Sequence, residues 1–384
     1  MQPLRTRSGE ALAVGCLFFL ALVPSLARAD WNEQDSGVKD LLRAVHFVSP
    51  ELGWAVGDAS TIIHTKNGGR TWLRQIPRDA NGLKLDSVIF TSPKVGWTRS
   101  SRDIKKILHT TDGGATWQDF PIPDEAEGGG ALHTAVGSSY FVLTGSTLFR
   151  TDDGKDWVTT RDFDLLSQYL DYGVGMWFTD KDNGCFARAN GSVVTTANGG
   201  KTWQVQPMAH QLQMEFNDKM MPHFIDVKTG WVLSKGHSLI HATVDGGKTW
   251  KPQQMGPDDV RGRRNIQFIS AKVGHVLTET EAGGKWAVQQ TKDGGKTWRQ
   301  LELQVPLDTY GGRYIQALSF PDAEHGWVVA EHGFIARYQV PMTEAPKGKG
   351  HRTAENLFAD MPKDAYPKFG PAGGIERAAA RKWL

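Results

Sequence analysis

Thr291-Lys292-Asp293-Gly294-Gly295-Lys296-Thr297-Trp298 decides the fold, because it recurs. Full copies stand at Thr65–Trp72, Thr110–Trp117, Thr196–Trp203 and Thr243–Trp250, and a sixth, Thr151–Trp157, is one residue shorter. The third position is always Asn or Asp: Asn67, Asp112, Asp153, Asn198, Asp245 and Asp293. The last is always a tryptophan: Trp72, Trp117, Trp157, Trp203, Trp250 and Trp298. These indoles are 45, 40, 46, 47 and 48 residues apart, the period of one four-stranded propeller blade. An Asx side chain can close a turn on backbone amides one or two residues on, and paired glycines accept positive φ without a Cβ clash. The segment, called the Asp box below, therefore reads as a structural turn. Its trailing indole offers apolar area to wedge between blades.

A second segment precedes most boxes. It reads Val45 to Trp54 (VHFVSPELGW), then Val88 to Trp97, Phe224 to Trp231, Ile266 to His275 and Leu318 to Trp327, with Trp177-Phe178 and Gly184-Cys185 in the same relation. Each is a short apolar strand, a turn and a second strand opening at Gly-Trp or its counterpart. The unit is then four strands: A ends at the phenylalanine, B opens at Gly-Trp, C is of the Ile62-Ile63-His64 type, and D starts at the box tryptophan. The blade around Leu132 to Trp157 lacks a Gly-Trp. The last repeat, Ile315 to Tyr338, has no box, so Asp30-Trp31-Asn32 is expected to supply its outer strand and close the ring. The expected fold is all-β: a seven-bladed β-propeller of four-stranded antiparallel blades, closed by the N-terminal strand.

Of 384 residues, 39% are hydrophobic and 22% charged, which excludes global disorder. Three segments are expected. Residues 1–29 carry Arg5 and Arg7, an apolar run from Ala11 to Leu22 and Ala27-Arg28-Ala29, the pattern of a cleaved signal peptide. The run is short for a membrane span, and a lipid-attachment reading of Gly15-Cys16 suits it less well, since the apolar stretch lies mostly after the cysteine. Residues 30–340 are the propeller. Residues 341–384, with five prolines, are a tail in which Ile375 to Leu384 could form a short basic helix. Asp162 to Asp171 reads as an insertion with a helical turn.

Cleavage removes Cys16 and leaves Cys185 alone, so no intrachain disulfide is expected. Taking three arginines and one glutamate from 44 basic and 42 acidic residues leaves 41 of each. A global attraction to nucleic acid or anionic lipid is thus not expected. His64, His109 and His241 recur just before their boxes in separate blades, which argues for packing rather than a shared metal ion. Cys185 stands where other blades have tryptophan and reads as a buried small hydrophobe. No metal and no cofactor is expected.

With both segments in hand, the chain resembles the photosystem II stability and assembly factor family of seven-bladed Asp-box propellers. The resemblance rests on Phe47 to Gly57 followed by Ile62 to Trp72, and extends over roughly residues 31 to 340. It implies a non-enzymatic factor, periplasmic, secreted or lumenal, that binds a membrane protein or its exported loop or tail through an arginine-rich face. It implies no membrane insertion after signal cleavage, and the chain is expected to be a monomer. Residues just before strand A converge near one mouth of the ring, where Arg43, Arg264 and Arg313 are expected, with Arg261 and Arg263 beside them. Arg99, Arg102 and Arg188 follow B strands and are further candidates. The rival from another class is an Asp-box glycoside hydrolase of sialidase type. Such an enzyme needs paired carboxylates, or a tyrosine nucleophile with its glutamate, and arginines on the substrate acid. Glu279, Glu281, Tyr314 and Arg313 have suitable chemistry, but no spacing singles them out.

Overall fold

Each full Asp box is closed by its own side chains. Thr65 Oγ1 accepts a hydrogen bond from the Gly69 amide at 2.8 Å, and Asn67 Oδ1 accepts one from the Thr71 amide at 2.9 Å. Thr291 and Asp293 do the same for Gly295 and Thr297 at 2.8 and 2.9 Å. The bond from the Asx side chain therefore reaches four residues on, not the one or two expected from isolated Asx turns. The two glycines between are what let the chain loop so far: Gly68 and Gly69 sit at φ +69° and +84°. In the shortened box Asp153 accepts instead from the amides of Lys155 and Asp156, two and three residues on.

The computed structural model describes residues 30–75, 82–101, 103, 105–126, 132–144, 147–161, 175–187, 193–206, 220–234, 239–255, 260–280, 286–303 and 314–339. The expected signal segment, the 162–171 insertion and the tail lie outside them. Ala29–Val340 form one compact unit. Blade 1 is β2 (Leu42–Phe47), β3 (Gly53–Gly57), β4 (Ile62–Thr65) and β5 (Leu73–Gln75), preceded in the chain by β1 (Asp30–Gln34). Blade 2 is β6 (Leu85–Phe90), β7 (Gly96–Ser100), β8 (Ile107–Thr110) and β9 (Gln118–Asp119). Blade 3 is β10 (Leu132–Val136), β11 (Ser139–Thr144), β12 (Thr147–Thr151) and β13 (Trp157–Arg161). Blade 4 is β14 (Met176–Phe178), β15 (Gly184–Ala187), β16 (Val193–Thr196) and β17 (Gln204–Gln206). Blade 5 is β18 (Met220–Phe224), β19 (Gly230–Ser234), β20 (Leu239–Thr243) and β21 (Lys251–Gln254). Blade 6 is β22 (Val260–Phe268), β23 (Gly274–Thr280), β24 (Trp286–Thr291) and β25 (Arg299–Glu302). Blade 7 is β26 (Ala317–Ser319), β27 (His325–Val329) and β28 (Ile335–Gln339), completed by β1. In full-box blades strand D begins one residue after the box tryptophan; only in blade 3 does it begin at the tryptophan itself.

All seven sheets are four-stranded, and the last has the order β1-β28-β27-β26. The N-terminal strand pairs antiparallel with β28 from Asp30↔Gln339 to Gln34↔Ile335, which closes the ring and removes a sheet edge. Trp31 takes the part of a box tryptophan there. It meets Phe320 edge-on, with centroids 6.2 Å apart at 89°, as Trp72 meets Phe47 at 5.8 Å and 89°.

The core consists of seams between blades. The B-strand aromatic of one blade lies flat on the A-strand phenylalanine of the next: Trp54 on Phe90, Trp231 on Phe268 and Trp327 on Phe47, all at 3.5 Å. Phe141 on Phe178 at 3.7 Å and His275 on Phe320 at 3.6 Å follow the same plan. Each stacked pair contributes about 1 kcal/mol beyond the area it buries. Two seams depart from the plan. At blades 2 and 3 Ala135 stands where phenylalanine would, and Trp97 lies against Tyr140 at 5.4 Å. At blades 4 and 5 the ring itself is missing, because Cys185 faces Phe224.

Candidate functional site

Antiparallel pairing sorts the loops. Asp boxes lie at the end of the ring where A strands finish and B strands begin: Gly53 pairs with both Phe47 and Thr65, and the Gly68 amide donates to Glu51 O at 2.8 Å. The opposite end carries the starts of A strands and the ends of B strands, where the arginines were expected.

Arg43 sits in an irregularity of β2 between Leu42 and Ala44, a place where an extra residue re-aims a side chain. Its guanidinium grips Asp58, at the end of strand B, through Nε–Oδ1 at 2.5 Å and Nη2–Oδ2 at 3.2 Å. The hydrogen bond to Asp58 raises the Arg43 pKa, with burial opposing it and the charges of Asp58 and Asp86 assisting. Asp86 occupies the same irregularity in blade 2, four residues before Phe90 as Arg43 is four before Phe47. It receives Arg99 Nη2 from strand B at 3.1 and 3.3 Å. Both pairs are only partly exposed, Arg99 at 15% and Asp86 at 27% of the side chain, so the guanidinium groups are held in place rather than swept by solvent. Beyond them, at the start of blade 3, His133 Nδ1 and the Tyr140 hydroxyl lie 2.7 Å apart. Burial, then the Arg99 charge, holds the His133 pKa well below its ordinary value, so the imidazole is neutral there.

Of the other expected cations, Arg261, Arg263 and Arg264 lie on the first half of β22, whose pairing with Glu279 and Thr280 puts their backbone at this same end. Arg102, Arg188 and Arg313 lie outside the described residues. Counted back from the ring phenylalanine, the counterpart of Arg43 in blade 7 is Gln316 rather than Arg313. The sequence reading missed the two aspartates. Aligning blades on their phenylalanines would have placed Asp86 at the Arg43 position, but the Arg43–Asp58 contact is a matter of side-chain direction.

The repeated polar residues stay in the scaffold. Asp245 and Asp293 are pulled to a pKa of about 2, first by the hydroxyls of Thr249 and Thr297 and then by their amides. His64 and His109 stack on the indoles of Trp54 and Trp97 at 5.0 and 4.8 Å. Burial lowers both pKa values, that of His64 to about 4. His241 is buried in blade 5. Among the described residues no three His, Cys, Asp or Glu side chains are grouped so as to hold a metal ion. Cys185 is buried, and burial pushes its thiol pKa well up, which makes it a poor nucleophile.

The family described as photosynthesis system II assembly factor YCF48 matches residues 23–162 and 155–299. The chain belongs to this family. It is 35% identical over 171 residues to the photosystem II stability/assembly factor HCF136, chloroplastic, of Oryza sativa subsp. japonica, covering 40% of this chain and 38% of that protein. It is 24% identical over 148 residues to the photosystem II assembly protein Ycf48 of a Synechococcus strain, covering 37% and 44%. The chain thus spans about two fifths of the length of the curated relatives it matches. Among solved structures, one titled "YCF48 bound to D1 peptide" aligns with a TM-score of 0.64 at 21% identity, over 84% of this chain and 99% of that one. A GH74 xyloglucanase from Xanthomonas campestris aligns at 0.58 and 14%, over 83% and 55%. At these identities the structural matches show the shared propeller fold and no more.

Proposed function

We propose that this protein is an exported, periplasmic or lumenal assembly or stability factor that binds an exported loop or tail of a membrane protein and does no chemistry on it. The observation that carries the reading is the family match, which runs from residue 23 to residue 299. The relatives' names agree with it: they are assembly or stability factors, one is chloroplastic, and one solved relative is titled as bound to a peptide. The organisation that goes with this role is a removed segment 1–29, a propeller over 30–340 and a tail over 341–384.

The docking surface in this reading is the mouth that carries Arg43, Arg99 and the start of β22. Arg43 and Arg99 are already bonded to Asp58 and Asp86. An incoming carboxylate would share a guanidinium that is oriented in advance, so little side-chain entropy is lost on binding. With a near-zero overall charge on the processed chain, the attraction is local to the mouth. The test is recovery of crosslinked membrane protein from the native envelope by wild type and by the Arg261→Glu/Arg264→Glu pair on the start of β22. The variant should keep its melting temperature and lose most of the crosslinked partner. Undiminished recovery would remove the mouth as the contact. Turnover of a sialoside or other glycoside, lost on changing a non-repeated carboxylate, would overturn the binding role itself.

A further inference from the structure

Two arginines hold equivalent places at the Asp-box end of the ring. Arg337 lies on β28 opposite Trp327, with its guanidinium 5.3 Å from the centre of that indole, which is stacked in turn on Phe47 of blade 1. Arg150 lies on β12 opposite Phe141, 5.6 Å from the centre of a ring that is stacked on Phe178 of blade 4. Each guanidinium also abuts the first glycine of the next blade's Asp box. A Cβ added to Gly68 would come within 3.1 Å of Arg337 Nη1, and Gly199 meets Arg150 in the same way.

The two differ in what they bind. Arg150 donates through Nε and Nη2 to Asp152, at 3.1, 2.9 and 2.7 Å, and Asp182 lies across the seam, 3.8 Å from Nη1. In blade 7 the residue two places after the arginine is Gln339 rather than an aspartate. The counterpart of Asp182 is Glu51, because the carbonyl of each accepts the amide of the box's first glycine, at 2.7 Å for Asp182 and 2.8 Å for Glu51. The Glu51 carboxylate serves its own turn instead, where it accepts from Ser49 Oγ at 3.1 Å. Asp322 is likewise taken up by the amides of Glu324 and His325. Among the described residues Arg337 makes no hydrogen bond or ion pair, and its Nε is buried without a partner. Burial first, then the charge of Arg70 in the blade 1 box, lowers the Arg337 pKa, against the pull of Glu51 and Asp322. An arginine nevertheless stays charged in a protein, and a partly desolvated guanidinium without an acceptor is unfavourable. The place that Asp152 and Asp182 fill for Arg150 is thus left to an acceptor from outside the ring.

We propose that Arg337, with the charge of Arg70 added to its own, receives a carboxylate presented by another polypeptide, from an acidic side chain or a C-terminus. Arg150 supplies the template, since the acceptors that complete it are carboxylates on a polypeptide, and the planar guanidinium fork matches that group. The site is at the end of the ring opposite the arginine mouth and does not depend on that mouth being a docking surface. N-acetyl-aspartamide for the side chain, N-acetylglycine for the C-terminus, N-acetyl-asparaginamide as the neutral control and inorganic phosphate are titrated against the full chain at constant ionic strength. The readouts are thermal shift and the Nε–H resonance of Arg337, assigned by its loss in Arg337→Met. At least one carboxylate should bind saturably with a dissociation constant on the order of 1 mM, as suits two charge-assisted hydrogen bonds, and which one binds identifies the source. Arg337→Met, which keeps an apolar stem on Trp327, should abolish that binding. Should it fail to fold, Arg337→Lys keeps the charge without the fork and should weaken the carboxylate at least about tenfold. Glu51→Gln should leave the melting temperature unchanged and the carboxylate bound no more weakly. Binding of neither carboxylate, equal binding of the neutral control, tighter binding of phosphate, or binding unchanged in the arginine variant that folds would each overturn the site. A fall of several degrees in Glu51→Gln would overturn it too, by showing that Arg337 already has its acceptor within the chain.

Discussion

Replacing Gly53 by alanine should destabilise the ring even though its backbone would welcome the change. Gly53 is not among the glycines with positive φ, and in a strand interior alanine is favoured over glycine by about 0.5–1 kcal/mol. The added Cβ, however, would lie 2.5 Å from two carbons of the Phe47 ring and 2.6 Å from a third. Carbon atoms rest about 3.5–4.0 Å apart, so the ring must retreat by about 1 Å. Behind it is the Trp327 indole, stacked at 3.5 Å and fully buried. Overpacking a core of this kind costs about 1–3 kcal/mol, which outweighs the backbone gain and leaves a net loss of about 1–2 kcal/mol. For a unit of this size the melting temperature should fall by a few degrees. The assay is thermal and urea unfolding of Gly53→Ala, Phe47→Leu and the double variant, followed by tryptophan fluorescence. Leucine relieves the clash, so the two changes should couple by about 1 kcal/mol in a double-mutant cycle. Gly82→Ala is the comparison: φ is +66° with no atom within 4 Å of the new Cβ, so it should cost backbone strain alone and show no coupling to Phe47. A Gly53→Ala protein as stable as wild type, or zero coupling, would refute the packing account of the Gly-Trp pair.

Trp31→Ala should cost about 2–3 kcal/mol, below the full 3–5 of a buried indole because Trp31 is only half-buried, and should speed hydrogen exchange of β28 amides above those of β20; equal exchange would sever the N-terminal strand from ring closure. Asp293→Asn should be nearly neutral, since Asn67 Oδ1 already makes the same bond to Thr71, whereas Asp293→Ala should lose about 1 kcal/mol in urea unfolding; equal losses would deny that the shared carbonyl-type oxygen is what the turn needs. Acid should weaken the ring through its buried histidines. Burial lowers His223 to about 4 and His275 to about 3, against 6.5 when unfolded, so below pH 6.5 the unfolded chain binds these protons first. Stability should be level above pH 6.5 with respect to these groups and fall between about 6.5 and 3–4, by up to about 3 kcal/mol for His223. Urea midpoints at pH 7.5, 5.5 and 4.5 check this, and His223→Asn should flatten the slope; a profile unaltered by that change would exclude the histidine as its source.

What could be read without coordinates was whatever each repeat carries within itself. The box hydrogen bonds span Thr65 to Thr71, the box glycines turn the chain on the spot, and the 40- to 48-residue spacing counts the blades. Closure by Trp31 was legible for the same reason, since a blade with three strands and an unplaced tryptophan at the other terminus imply each other. Even Cys185 could be aligned with its tryptophan counterparts. Its consequence could not, because the ring it packs with, Phe224, belongs to the next blade, and how neighbours close over a missing indole is decided by packing. The mouth followed the same division. Arg43 and Arg99 were found by position along the strands, while Asp58 and Asp86, which bind and orient them, came from side-chain direction in a locally irregular sheet. Short-range turn chemistry and period are written in consecutive residues; charge pairing and cavities are sums over side chains that only the closed ring brings within a few ångströms of one another.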